Sequence, residues 1–286
     1  ESLGKIDLRK IEVVAVSAGF DGHDGDLASL GLTEKTFGEI GKRIAKLKKH
    51  IFFVLEGGYI GQNIGKDIAK IFSMCHDSLE IKLENFPKYI KRQKLTRLLA
   101  LYEIFKKIIP IKGSIIECGV HRGSGLMSWA NLSAILEPIN LTRRIYGFDT
   151  FSGFPEVSQK DKNKFTKINT GCLASNSYKE LNQLIKIFDS NRFLGHVNKI
   201  QLIKGDAIKT IPKFIKENQH LVVSLLFLDF DLFEPTKVAI EHFSPRIPKG
   251  GIIAFDELDN PIWPGETMAL LKTIGVNKLK IEKLAF

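Results

Sequence analysis

Few cysteines, no long apolar run and no secretion signal mark this sequence, and each absence excludes a class of protein. Its 286 residues include three cysteines, Cys75, Cys118 and Cys172, and none belongs to a CxxC pair. That usage is typical of reduced cytosolic thiols rather than of a secreted, disulfide-rich domain. The longest apolar run, residues 221–228, is too short to cross a bilayer, and the N-terminus lacks a signal-peptide pattern. We therefore predict a cytoplasmic protein without a membrane span.

The net charge of +10 is not concentrated in one place. Such a balance could suit nucleic acid or an anionic membrane. However, the lysines are scattered, and their densest runs, residues 42–49 and 88–97, fall on predicted helices. We therefore interpret the positive charge as side chains spread over a solvated surface and expect no nucleic-acid partner. The oligomeric state is left open, a homo-oligomer included.

Hydrophobic periodicity alternates between strands and helices along the whole chain, which predicts an α/β fold with parallel sheets. A polar stretch at 76–93 interrupts the pattern, so we predict domains at residues 1–78 and 79–286. The elements predicted for the first domain are strands at 11–17 and 51–55 and helices at 33–49 and 62–74. Those predicted for the second are a helix at 96–108, strands at 114–118, 144–148, 200–203, 222–228 and 251–255, and a final strand at 279–284.

A glycine-rich turn follows the first strand of the second domain, at residues 115–125. Glycines such as Gly119 and Gly123 let a ligand approach the backbone where a strand ends. The helix that begins at Ser124 offers free N–H groups at its N-terminus. The turn therefore predicts part of a cofactor site.

The next two strands also end in acidic residues. Asp149 follows the second strand, where α/β nucleotide-binding proteins hold ribose hydroxyls with a carboxylate. Asp206 follows the third, where an adenine amino group could donate to it. Each aspartate could instead be only a helix N-cap, but three successive strand ends favour a nucleoside site.

The fourth and fifth strands end in further acids: Asp229, Asp231, Asp256 and Glu257. The carboxyl ends of parallel strands face one crevice, so we expect these carboxylates to converge. Such crowding is costly unless a cation or protons neutralise it, and oxygen ligands favour Mg²⁺ over zinc. The alternative is that they are separate caps and surface acids.

These motifs resemble those of the macrocin O-methyltransferase family. The resemblance rests on residues 117–120, 149–155, 228–236 and 245–257, and it covers about residue 96 to the end. It implies a Rossmann-like class I methyltransferase sheet with helices on both faces, which uses S-adenosylmethionine and Mg²⁺ to methylate a sugar or related hydroxylated metabolite, whether a small molecule or a glycan.

The resemblance also implies roles for individual residues. Glu117 would join Gly119, Gly123, Ser124, Asp149 and Asp206 in binding the cofactor. Asp229, Asp256 and Glu257 would bind the metal, and Asp231 or Asp229 would be the base. Many members carry Asp-Asp where this chain has Asp256-Glu257, and residues 260–266 also depart from the common pattern, so the methyl acceptor is left open.

The first 75 residues resemble a different family. Residues 16–23 and 55–59 are similar to the C-terminal part of histone deacetylases and acetoin-utilisation deacetylases. By that resemblance Asp21 would be a zinc ligand and Tyr59 would polarise the substrate carbonyl. The other ligands of that family lie upstream of the matching segment, so we expect an inactive C-terminal remnant, with Zn²⁺ bound only in an intact deacetylase parent. We also expect the methyltransferase domain to lack its last strand, as in a fragment of a fusion protein.

Overall fold

The computed structural model describes residues 13–19, 31–47, 50–57, 79–162, 164–165, 167–277 and 279–284. The chain divides into two compact units, Glu1–Lys91 and Arg92–Phe286. This division lies inside the polar junction at 76–93, and the bounds 1–78 and 79–286 remain predictions. Among the described residues, no helix is long and apolar enough to cross a membrane.

The first unit contains two parallel strands, β1 (Val13–Gly19) and β2 (His50–Gly57), with helix α1 (Glu34–Ala45) between them in the chain. Thr33 is the N-cap of α1, as predicted, and its backbone N–H donates to Thr36 Oγ1 at 3.3 Å. Two short helices, α2 (Leu79–Glu84) and α3 (Phe86–Tyr89), lie in the stretch that we expected to be only a junction. The predicted helix at 62–74 lies outside the described residues.

The second unit is a five-stranded parallel sheet with helices between its strands, which confirms the predicted α/β fold. Its strands are β3 (Ser114–Cys118), β4 (Ile145–Asp149), β5 (Ile200–Lys204), β6 (Val223–Leu228) and β7 (Ile252–Phe255). Its helices are α4 (Arg92–Ile108), α5 (Ser124–Leu136), α6 (Tyr178–Ser190), α7 (Ala207–Glu217), α8 (Phe233–Phe243) and α9 (Gly265–Lys272). The spatial order of the strands is β5-β4-β3-β6-β7.

Alternating strand residues bury two apolar clusters, one on each face of the sheet. One cluster joins strand residues such as Phe148 to Phe214 of α7 and Phe243 of α8. The other joins Phe227 of β6 to helices α4, α5 and α6. Trp129 of α5 packs edge-on against the Phe227 ring, with 5.6 Å between the ring centroids. Helices therefore cover both faces, as a Rossmann-like sheet requires.

The predicted strand at 279–284 is wrong, because the described part of this segment has no strand structure. A strand needs the backbone of a neighbouring strand for its hydrogen bonds, and a suitable side-chain pattern cannot supply one. The segment is instead held by side chains. Glu282 pairs with Lys107 of α4 at 2.7 Å, and Leu284 packs against the second apolar cluster.

Candidate active site

The strand register aligns the carboxyl ends of β3, β4, β6 and β7 in one row. Backbone hydrogen bonds continue just beyond these ends. Gly119 N donates to Phe148 O at 2.9 Å, and Asp229 N donates to Cys118 O at 2.8 Å. The strand order reverses between β3 and β6, where open α/β sheets bind their ligands. We therefore expect a ligand-binding site at this row of strand ends.

Gly119 is required by this close approach of two loops. Its backbone has a φ of 96°, and a Cβ at that position would stand 1.8 Å from the carbonyl oxygen of Asp229. Any side chain would therefore push the turn after β3 away from the acidic loop after β6.

A cavity of about 490 Å³ lies over these strand ends, within the usual size of a small-molecule site. Three of the predicted cofactor residues line it: Gly119, Asp149 and Asp206. The acids Asp229 and Asp231 line it as well, together with the loop after β4. Glu117, Gly123 and Ser124 are not among its lining residues.

Both carboxylate oxygens of Asp149 accept backbone hydrogen bonds. His121 N donates to Oδ2 at 2.7 Å, and Phe151 N donates to Oδ1 at 2.5 Å. Each carboxylate oxygen has two acceptor sites, so a second donor can still bind to each. The aspartate is thus fixed at the cavity wall with acceptor capacity to spare.

Asp206 is a helix N-cap that also lies at the cavity. Its carboxylate caps helix α7 by accepting from Ile208 N at 3.0 Å. It also lines the cavity together with Gly205 and Ile208. Capping therefore does not exclude contact with a ligand.

Glu117 is buried in β3, at 2% exposure. Burial, with the charge of Asp229, raises its pKa well above the ordinary value. Gly125 leaves room for this side chain, since a Cβ there would meet Glu117 Oε1 at 2.5 Å. Gly123 is the N-cap of α5, with a φ of 83°, and Ser124 begins that helix.

Arg97 of helix α4 bridges two of the predicted metal ligands. Its Nη2 donates to Asp229 Oδ2 and its Nη1 donates to Asp256 Oδ1, each at 2.7 Å. Burial works to lower the pKa of Arg97, but the two carboxylates outweigh it, and the pKa lies above its ordinary value. The predicted convergence of acids is therefore real for this pair, and a guanidinium lies between them.

Asp231 differs from Asp229 in lacking a partner for its carboxylate among the described residues. Its backbone is left-handed, with a φ of 62°. Burial, and then the charges of Asp229 and Glu257, raise its pKa to about 7. Burial and the charge of Asp256 raise the pKa of Asp229 to about 6, although Arg97 acts in the opposite direction.

Glu266 of helix α9 holds the two acidic loops together. It is fully buried, and its carboxylate accepts from the backbone N–H of Asp231 and that of Glu257, each at 3.2 Å. Burial raises the pKa of this carboxyl well above its ordinary value. Gly265 permits the close approach, because a Cβ there would stand 2.4 Å from Asp231 O.

Asp161 ties the loop after β4 to the start of α8. Its Oδ1 accepts from Phe233 N at 2.6 Å, while its Oδ2 accepts from the backbone N–H and the hydroxyl of Ser158. The residue is 1% exposed and lines the cavity. It therefore fixes one wall of the cavity.

The acid pair fits a cation through two carboxylates rather than three. The Arg97 guanidinium is itself a cation bound in this way, since Asp229 and Asp256 both direct an oxygen to it. Glu257 is engaged elsewhere, because its Oε2 accepts from the Asn260 side chain. Among the described residues, no three His, Cys, Asp or Glu side chains are arranged to hold a metal. Mg²⁺ is often held by one or two carboxylates, with water and substrate oxygens completing its shell.

Sequence reasoning missed three residues here: Arg97, Glu266 and Asp161. Arg97 gives no local signal, because it lies 132 residues from Asp229. Glu266 lies within residues 260–266, which we had noted only as a departure from the family pattern. Of the residues assigned to the deacetylase resemblance, Asp21 and Tyr59 lie outside the described residues.

Family comparisons divide the chain in a similar way. Residues 89–271, well over half of the chain, match the macrocin O-methyltransferase (TylF) family. Residues 9–75 match the histone deacetylase domain family. A curated relative is the 8-demethyl-8-(2,3-dimethoxy-alpha-L-rhamnosyl)-tetracenomycin-C 4'-O-methyltransferase of Streptomyces olivaceus, 26% identical over 156 residues. That alignment covers 51% of this chain and 53% of the relative, so the chain spans about half the relative's length.

Two solved structures extend the likeness. The calicheamicin methyltransferase CalS11 is 33% identical, with a TM-score of 0.71 over 80% of this chain and 90% of that chain. An apo structure of CalS11, described as TDP-rhamnose 3'-O-methyltransferase, is 31% identical, with a TM-score of 0.64 over 80% and 92% of the two chains. Together with the strand-end motifs, these matches show that the chain belongs to the macrocin O-methyltransferase family.

Proposed function

We propose that residues 92–286 transfer a methyl group from S-adenosylmethionine to a hydroxyl of a sugar, with Mg²⁺ assisting. The observation that carries the proposal is the cavity over the carboxyl ends of the strands. Gly119, Asp149 and Asp206 line it, and so do Asp229 and Asp231. A nucleoside-holding wall and a group able to accept a proton thus face the same space.

Asp149 and Asp206 are suited to hold the nucleoside. The Asp149 carboxylate is fixed by two backbone N–H groups and keeps acceptor capacity for ribose hydroxyls. Asp206 and Ile208 line the next part of the wall, where an amino group could donate to the carboxylate beside an apolar surface. When bound, S-adenosylmethionine would supply the methyl group on its sulfonium.

Asp231 is the better of the two candidate bases. Asp229 is occupied by Arg97 at 2.7 Å, whereas no described residue pairs with the Asp231 carboxylate. Asp231 also lines the cavity, so it can accept a proton from a hydroxyl bound there. With the methyl group supplied by S-adenosylmethionine, Asp231 would accept the proton that the acceptor hydroxyl loses.

Asp229 and Asp256 are the residues that would hold Mg²⁺. Bound there, the ion would lower the pKa of a coordinated substrate hydroxyl. Glu257 stays a proposed third ligand, which would first have to give up its hydrogen bond with Asn260. The remaining positions suit water and substrate oxygens.

The proposed acceptor is a deoxysugar, free or attached to a nucleotide or an aglycone. Support comes from the relatives, since one is described as acting on a rhamnosyl tetracenomycin and another on TDP-rhamnose. The test incubates the chain with S-adenosylmethionine, Mg²⁺ and a panel of sugars that includes TDP-rhamnose. We expect one product that is heavier by a methyl group. If no sugar is methylated and S-adenosylmethionine does not bind, the proposal fails.

Zinc-dependent deacetylation is the second candidate, and it rests on the match of residues 9–75 to the histone deacetylase domain family. Asp21 would be a zinc ligand and Tyr59 would polarise the carbonyl. Both residues lie outside the described part of the chain. Zinc-dependent release of acetate that is abolished in Tyr59→Phe would support this candidate, and its absence at every zinc concentration would exclude it for this chain.

A further inference from the structure

We propose that Arg97 is a resident cation of the acid pair, and that Mg²⁺ must displace its guanidinium from Asp229 and Asp256 to bind there. This inference rests on the proposed metal-assisted reaction and adds a control to it. The metal would not enter a vacant site. It would compete with a side chain of the same protein.

The geometry of the bridge supports this role. A guanidinium is planar and presents parallel N–H donors, so one Arg97 can neutralise two carboxylates at once. Its Nη1 reaches Asp256 and its Nη2 reaches Asp229, each at 2.7 Å. A metal held by the same two carboxylate oxygens would take the place of the guanidinium. Two cations at one carboxylate pair also repel each other, so Arg97 and a metal ion compete for this pair in the arrangement observed.

The surroundings also allow Arg97 to leave. Its side chain is 37% exposed, so the guanidinium can turn towards solvent without crossing the core. The helix that carries it stays anchored by other residues, since Leu101 and Phe105 of α4 are buried in the second apolar cluster. A change of side-chain rotamer is enough, and no movement of the helix is required.

Metal binding to variants of the full chain tests the competition without measuring catalysis. The probe is Mn²⁺, an oxygen-binding divalent ion whose free concentration is read from its paramagnetic resonance signal. We expect Arg97→Gln to bind Mn²⁺ about tenfold more tightly than the unmodified chain, or more, because a cation no longer holds the ligands. Lys107→Gln is the matched control, since it removes one positive charge from the same helix, at an exposed ion pair with Glu282.

Thermal stability gives a second measurement on the same variants. Without metal, Arg97→Gln leaves two facing carboxylates without a counter-ion, so we expect its Tm to fall below that of Lys107→Gln. Added Mn²⁺ should raise the Tm of Arg97→Gln more than that of the unmodified chain. If the glutamine variant does not fold, Arg97→Lys serves instead. Its single ammonium cannot bridge both carboxylates as a fork, so we expect an intermediate Mn²⁺ affinity.

Each result either supports the inference or overturns it. Tighter Mn²⁺ binding in Arg97→Gln, with no change in Lys107→Gln, supports it. Equal or weaker binding in Arg97→Gln overturns it, because Arg97 then does not compete. Absence of Mn²⁺ binding in every variant also overturns it. Binding of S-adenosylmethionine to the unmodified chain, measured separately, distinguishes that outcome from a failure of the proposed methyl transfer.

Discussion

The proposed proton transfer depends on the carboxylate of Asp231. We expect Asp231→Asn to lower kcat for methyl transfer by about 10²–10⁴-fold, the range for loss of a general base. Binding of S-adenosylmethionine should change little, because Glu266 holds Asp231 through its backbone N–H, which the variant keeps. Asp259→Asn is the control, since it removes an exposed carboxylate that does not line the cavity. A rate that falls equally in both variants would count against Asp231 as the base.

Lys199 gives the second unit a dependence of stability on pH. It is 6% exposed, and burial lowers its pKa from 10.5 to about 8. Between these values the unfolded chain holds a proton that the folded chain has lost. The free energy of unfolding therefore rises with pH across this window, by up to about 3 kcal/mol.

We expect Lys199→Met to reduce that rise, which urea denaturation at several pH values would measure. Lys213→Met is the control, because its side chain is 76% exposed. Identical pH slopes for Lys199→Met and the unmodified chain would show that burial of Lys199 has no such effect.

The acids at single strand ends could be predicted because their signal is local. Asp149, Asp206 and Asp229 each follow a recognisable apolar strand, and parallel strands bring such ends together. The role of Arg97 could not be predicted in this way. Its position beside Asp229 depends on how α4 packs against β6, and the residues around Arg97 in the sequence do not indicate that packing.

At the scale of elements, helix α9 sets the spacing of the two acidic loops through Glu266. In Glu266→Gln one carboxylate oxygen becomes an NH₂ group, which cannot accept from a backbone N–H. One loop then loses its acceptor, and we expect kcat to fall by about tenfold to a hundredfold through misplaced acids. Affinity for S-adenosylmethionine should stay nearly constant, because no residue of α9 lines the cavity.

Glu241→Gln on α8 is the matched control for this prediction, because its carboxylate is exposed and pairs only loosely with Lys237 at 3.8 Å. If Glu266→Gln keeps full kcat, the hydrogen bonds of Glu266 to the two acidic loops do not position the acids. A loss of cofactor affinity equal to the loss of kcat would instead indicate a general structural role.

Element prediction succeeded where hydrophobic periodicity and strand pairing agreed. The five strands of the sheet begin and end within a residue or two of their predicted bounds. The segment at 279–284 has a strand-like pattern but forms no strand, because a pattern does not provide a pairing partner. The short helices at Leu79–Glu84 and Phe86–Tyr89 were missed because six and four residues are too few for a helical period to show.

At the scale of the whole molecule, two units match two different families. The parallel α/β sheet and the family could be inferred from ordered motifs spread over the second unit. The methyl acceptor could not, because substrate specificity generally depends on side chains from several loops, and residues 260–266 depart from the familiar pattern. Phe154 and Trp263, whose rings lie 6.1 Å apart edge to face, show how loops distant in sequence meet.

Calorimetric titration of the intact chain with S-adenosylmethionine tests the central claim most directly. The account predicts binding to the unmodified chain and a loss of affinity of about ten- to a hundredfold in Asp149→Ala, since a charged acceptor of ribose hydroxyls is removed. Asp189→Ala, which removes a carboxylate near the end of α6 that pairs with Arg192 and does not line the cavity, should bind like the unmodified chain. Absence of binding to the unmodified chain, or equal affinity in Asp149→Ala, would contradict the account.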